Sequence, residues 1–115
     1  MRTLLTQIAQ SGAGSFLAVL KQFGAANQNL LSFPLAGFTL ALDFKASTST
    51  IALLHRLDDM VAVMGGRVYL TKDAVMTEST FKKTYTQWQT FEAVRHQYGA
   101  VGKFASNQSK RLGLA

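Results

Sequence analysis

The chain has no cysteine, a single proline at Pro34, and no apolar run approaching the thickness of a bilayer. Without cysteine there is no disulfide, no thiolate metal site and no cysteine nucleophile. A membrane-spanning helix needs ~20 consecutive apolar residues, so no membrane span is expected. Charge is scarce as well: 16% of residues are charged and 48% are hydrophobic, the reverse of a disordered composition. Acids are scarcest, six Asp and Glu against twelve Lys and Arg, for a net charge of +6. Neither His55 nor His96 has a second ligand-type residue at metal spacing, so no metal is expected. The opening MRTLLTQIAQ carries one arginine and too short an apolar stretch for a secretory signal. A cytoplasmic protein is the default.

What is present suits one domain. A chain of 115 residues can hide roughly two-thirds of its unfolded surface. So few charges leave apolar surface for a partner or a further domain to cover. The positive sign suits nucleic acid or another anionic partner, but the longest basic run is Lys82-Lys83 and the remaining cations are scattered.

Residues 2–10 read as a short helix ended by SGAG, and SFLAVLKQF (15–23) as a buried strand. GAANQN is a polar loop, and LLSFPLAG, with its proline, a connecting or edge segment. FTLALDF (38–44) alternates strictly: Phe38, Leu40, Leu42 and Phe44 on one face, Thr39, Ala41 and Asp43 on the other. STST (47–50) caps a helix with an apolar stripe at Ile51, Leu54, Leu57, Val61 and Met64, stopped by Gly65-Gly66. RVYLTK reads as a third strand. Thr77 then caps a long helix bearing Phe81, Tyr85, Trp88, Phe91, Val94 and Tyr98, ended by Gly99. The tail shows no sustained period. The expected fold is α+β, in the order α-β-β-α-β-α: an antiparallel or mixed sheet of three to four strands, with helices packed on one face.

Three constellations read as structural. SGAGS lacks GxGxxG spacing and precedes a strand, so it is a turn. His55-Arg56-Leu57-Asp58-Asp59 looks like the solvent side of a helix and has no nucleophile beside it. The aromatic row from Phe81 to Tyr98 has the spacing of a helix core face. The strand lysines are different. Lys21 is in phase with Leu17 and Val19, and Lys72 with Val68 and Leu70. Such lysines either snorkel to water or face a bound anion or a reacting hydroxyl, where desolvation turns a lysine into a usable base. The pattern leaves both open.

SFLAVLKQFG, LLSFPLAGFTLALDF, the Gly-Gly-Arg-Val-Tyr-x-x-Lys-Asp segment and the closing FASNQSKRLGL together resemble the C-terminal part of FAD-dependent oxidoreductases. The nearest group is the decaprenylphosphoryl-β-D-ribose 2′-oxidases, with FAD-linked sugar-lactone oxidases of the vanillyl-alcohol-oxidase type as relatives. The resemblance implies that 1–115 is a single C-terminal cap, the substrate side of a larger enzyme. Its FAD is bound mainly by an N-terminal domain absent from this chain, and a sugar hydroxyl is oxidised by hydride transfer. Carried over by position, Lys21 is a catalytic residue that points into the substrate pocket, with Val19 lining it. Lys72 stands between flavin and substrate, as a catalytic and cofactor-binding residue, and Tyr69 lies on the same strand.

Thr39 and Ala41 fall where the close oxidases carry Asn and Cys, which changes the pocket wall. Gly99-Ala100, Asn107 and Lys110 also depart from the usual Asp-Pro, Asp and Arg. Tyr69 and Lys72 are three apart, so they share a site only if the strand ends or bulges near Thr71. Alone, the chain is expected to be inactive and to expose its sheet face, a candidate surface for homo-oligomers. In the full-length protein a membrane-peripheral location fits as well. The competing expectation is a small basic α+β module that binds nucleic acid or a protein partner; under the oxidoreductase reading no nucleic acid is expected.

Overall fold

The computed structural model describes all 115 residues. Helix α1 (Arg2–Ser11) ends at Gly12, whose φ of 68° only glycine adopts freely. β1 (Ala18–Phe23) and β2 (Gly37–Leu42) form an antiparallel pair with Ala18 opposite Leu42 and Phe23 opposite Gly37. Helix α2 (Thr48–Val63) is capped by Ser47, which accepts the Thr50 N–H; α3 (Glu78–Thr84) is capped by Thr77, which accepts the Thr80 N–H. Helices α4 (Trp88–Gln97) and α5 (Asn107–Arg111) follow, the latter opened by a reciprocal Ser106–Ser109 capping box.

The α+β class is observed, but the sheet has two strands, β1 and β2. RVYLTK forms no ladder. Its carbonyls are taken by side chains instead: the Tyr85 hydroxyl donates to Val68 O at 2.7 Å and the Gln108 amide to Leu70 O. The chain then turns, with the Lys72 N–H donating to Tyr69 O at 3.0 Å. The expected long helix is two helices. Tyr85 leaves helical geometry at φ −105°, ψ 73°, which lets its ring sink fully into the core while Trp88 starts a new helix. The tail, aperiodic in sequence, contains α5, which is too short to display a period.

The core lies among the helices. Met76, Phe81, Tyr85, Leu112 and Leu114 form one buried cluster, flanked by Leu31, Val68, Leu70, Trp88 and Phe91. Each such large side chain contributes roughly 1.5–3 kcal/mol by leaving water. Burial also pushes the Tyr85 phenol up to about 12 against the opposing pull of Arg67, so its hydroxyl stays a donor. On α2 the buried residues are Thr50, Leu53 and Leu57, a stripe rotated from the expected one; Ile51 and Met64 are exposed. The helices pack chiefly on one another, α1 on α2 and α2 on α3. The expected helical layer over the sheet is not formed, since the principal helix contacts are with other helices and not with the strands.

The face of the hairpin that carries Leu20 and Phe38 is therefore open, with Leu20 61% and Phe38 65% exposed. Only 10 of 115 residues are buried, and the accessible surface is 7728 Å² where a compact monomer of this mass presents about 6200 Å².

The 67–76 segment is held by Asp73, whose side chain is 1% exposed. Its Oδ1 accepts the N–H groups of Val75 (3.0 Å) and Met76 (2.8 Å), and its Oδ2 accepts from Arg111 Nη2 at 2.7 Å. Removing one partner of such a buried pair leaves an uncompensated charge. Asp73→Ala is expected to lower unfolding stability by about 3 kcal/mol, read as a lower urea midpoint.

The same carboxylate reaches Asp58 on α2, which was expected to face solvent. Partial burial and then Asp73 raise the Asp58 carboxyl to about 6; Asp59 adds to the rise, while His55 and Arg111 oppose it. An unfolded aspartate titrates near 3.9, so between roughly pH 4 and 6 the folded chain binds the extra proton. This group's contribution thus favours folding at low pH and is lost as pH rises through 6. Asp58→Asn should be more stable than the parent at pH 7.5, by about 1 kcal/mol given the group's partial exposure, and should show no advantage at pH 4. Thermal melts at the two pH values check this.

Candidate functional site

The antiparallel register places Val19 opposite Ala41 and Lys21 opposite Thr39. Directly opposed residues share a face, with Cβ atoms ~4.5–5.5 Å apart. Four of the six sequence-predicted residues are thus two adjacent cross-strand pairs on one side of the hairpin. One pair is small and apolar, the other a cation beside a hydroxyl. Lys21 is exposed and makes no ion pair. Val19, Thr39 and Ala41 are half-buried, the shielding expected along the middle of a strand pair.

Phe23, in phase with Val19 and Lys21, carries this face toward the rest of the molecule. Its ring meets Phe33 edge-on at 5.8 Å, and Phe33 lies 4.8 Å from the Tyr69 ring. Tyr69 is therefore joined to the border of the face through Phe33, a residue of the β1–β2 connection. Lys72 arrives by another route. The turn at Tyr69–Lys72 replaces the expected strand, so the three-residue spacing no longer sends the two side chains to opposite faces. Lys72 Nζ pairs with Asp43 Oδ1 at 3.2 Å, and both side chains are more than half exposed.

Asp43 was missed as a functional candidate, although it falls in phase with Thr39 and Ala41 just beyond β2. Its backbone N–H donates to Ser15 Oγ at 3.0 Å, which ties the hairpin's two ends together. Phe23 and Phe33 were missed too, since nothing in a sequence links rings ten residues apart. The aromatic row offers no base-stacking platform: Phe81 and Tyr85 are buried, and they stack on each other at 5.3 Å. No group of three or more His, Asp or Glu could hold a metal ion.

Chemically, the face offers one primary ammonium group, one hydroxyl and a short apolar wall, with the Tyr69 phenol joined to its border through Phe33 and the Lys72 ammonium held by Asp43 just beyond β2. It is a surface and not a pocket. One concavity, of about 560 Å³, lies elsewhere, along residues 28–32 and Phe91. To enclose a reactant, the hairpin face needs a second wall. No helix of the chain is long and apolar enough to cross a membrane.

No protein-family model matches the chain. It is 35% identical over 113 residues, 98% of its length, to decaprenylphosphoryl-beta-D-ribose oxidase of Mycolicibacterium smegmatis. It is 34% identical over 115 residues to a Streptomyces coelicolor protein described as an uncharacterized protein in the mprA 5′ region. The chain spans 25% of the first relative and 31% of the second. From its first helix to its last, the chain is similar to a quarter-length portion of a decaprenylphosphoryl-beta-D-ribose oxidase, the kinship that its separated motifs imply.

Proposed function

We propose that this chain is the C-terminal, substrate-side domain of an FAD-dependent oxidoreductase that oxidises a sugar or sugar-like hydroxyl. The observation that carries the reading is the pairing of Lys21 with Thr39 and of Val19 with Ala41 on one open face. It stands beside similarity, over 98% of the chain, to an enzyme whose name is that of a sugar oxidase.

The residues fit a place beside a flavin ring rather than a grip on the whole dinucleotide. SGAGS is occupied with its own turn: Ser11 Oγ donates to Ile8 O and accepts the Ala13 N–H, and Ser15 Oγ serves Leu17 O and Asp43 N. The nucleotide is therefore assigned to an N-terminal FAD-binding domain. That domain would supply the missing wall, and a segment of it pairing with a free edge of β1 or β2 would bring the sheet to three or four strands. Two strands alone are marginal.

Bound FAD supplies hydride acceptance from the carbon that bears the hydroxyl. This chain's part is to hold the substrate and manage the proton. Lys21, with three donors and no partner, grips substrate oxygens, and the Thr39 hydroxyl donates or accepts beside it. Val19 and Ala41 form the apolar wall, and Tyr69 borders it. Lys72 exchanges Asp43 for the flavin side of the site, which is feasible because an exposed ion pair is worth only ~0–1 kcal/mol. A lysine facing the reacting hydroxyl takes up the departing proton at Nζ as the neutral amine, the form that closure of the site against water would favour, and so becomes the ammonium. Where the close oxidases carry Asn, Thr39 gives a shorter reach, so the sugar accepted need not be the same. Without the flavin domain the same face is free to meet a second copy.

Mixing the chain with the separately produced flavin-carrying remainder of the Mycolicibacterium smegmatis oxidase tests the reading. Co-elution, with bleaching of the flavin absorbance by a sugar substrate, is the expected result. Failure to co-elute counts against the partner assignment. In the mixture, Lys72→Met should slow bleaching at least a hundredfold and leave co-elution intact; an unchanged rate would remove Lys72 from the chemistry. Lys21→Met should act mainly by raising the substrate concentration needed for half-maximal bleaching.

A further inference from the structure

The connection between β1 and β2 folds against Arg67 and the start of α4, enclosing a cavity of about 90 Å³. Its polar walls are Asn27, Asn29, Ser32, Arg67, Thr86 and Gln87. Arg67 follows the Gly65-Gly66 turn that ends α2, and its guanidinium lies 5.0 Å over the Tyr85 ring. One terminal nitrogen donates to Ser32 O at 2.8 Å, and Nε is buried with no acceptor.

The chain's ion pairs use Lys72, Lys82, Arg95 and Arg111; none reaches Arg67. Arg67 is partly buried with a single neutral acceptor, and cations drawn away from water are ordinarily met by an anion. The wall also includes Gln87, the N-cap of α4, whose side chain caps nothing. The positive end of that helix therefore adds to the field of Arg67.

We propose that this cavity binds a small oxyanion, a phosphate or carboxylate group held by the planar fork of Arg67. Guanidinium geometry matches such groups in two-point contact, and Thr86 and Gln87 carry further donors on the same wall. Size narrows the ligand: a cavity of about 90 Å³ suits an anion of a few heavy atoms. None of these walls belongs to the Lys21–Thr39 face, so the site is independent of the oxidoreductase reading.

The test is an NMR titration of the ¹⁵N-labelled chain, following the Arg67 Nε–H resonance. Inorganic phosphate and acetate are added in separate arms, against sodium chloride at equal ionic strength. A saturable shift in the phosphate or the acetate arm is expected, and the arm that saturates first tells phosphate from carboxylate. Gln87→Glu, which sets a carboxylate on the wall, should weaken the response at least tenfold while leaving the amide spectrum elsewhere unchanged. A shift that fails to saturate with either anion, an equal response to chloride, or an undiminished response in Gln87→Glu would overturn the proposal.

Discussion

The placement of the site depends on one buried carboxylate. Asp73 takes two backbone N–H groups and an arginine, and so fixes a stretch of chain that no sheet supports. Residues 67–72 have strand composition without a partner strand. Their shape comes from Tyr85, Gln108 and the Tyr69–Lys72 turn. Lys72 precedes the anchored residue, so its reach toward Asp43 is set from inside the core. Arg111, the other half of the anchor, lies in α5. The tail is therefore part of what positions the lysine, although it bears no candidate site residue.

The molecule divides its labour unevenly. The helical side holds the buried cluster, and the hairpin holds the chemistry-bearing residues with almost nothing behind them. An accessible surface roughly 1500 Å² above that of a compact monomer of this mass is comparable to the total area of a standard protein interface, ~1600 Å². Relatives three to four times as long as this chain have the polypeptide to supply such a cover. The aromatic path Phe23–Phe33–Tyr69 then matters as the seam joining the hairpin to the helical body.

The electrostatics follow the same division. The Asp73–Arg111 pair is shielded and structural, and it acts at a distance on Asp58. The Lys72–Asp43 pair is open to water, so it holds little energy and gives way to a better partner. Arg67, partly buried and without an acid, keeps a buried Nε that no acceptor meets.

Local rules determined much of this from sequence. Ser47 and Thr77 cap helices because their hydroxyls meet the free N–H groups three residues on, and Gly12 and Gly99 end helices at positive φ. Period two by itself put Val19 with Lys21 and Thr39 with Ala41. Tertiary structure alone decided that these two pairs face each other, because register depends on how two distant strands meet. It also denied Val68 and Leu70 a ladder, since strand propensity is satisfied only when a neighbour offers donors and acceptors. It broke the long helix at Tyr85, where burying one ring outweighed continuing a regular hydrogen-bond pattern. Asp43, Asp73 and Arg67 gained their roles in the same way, from charges brought together across 29 to 38 residues or, for Arg67, kept apart. No local pattern encodes those distances.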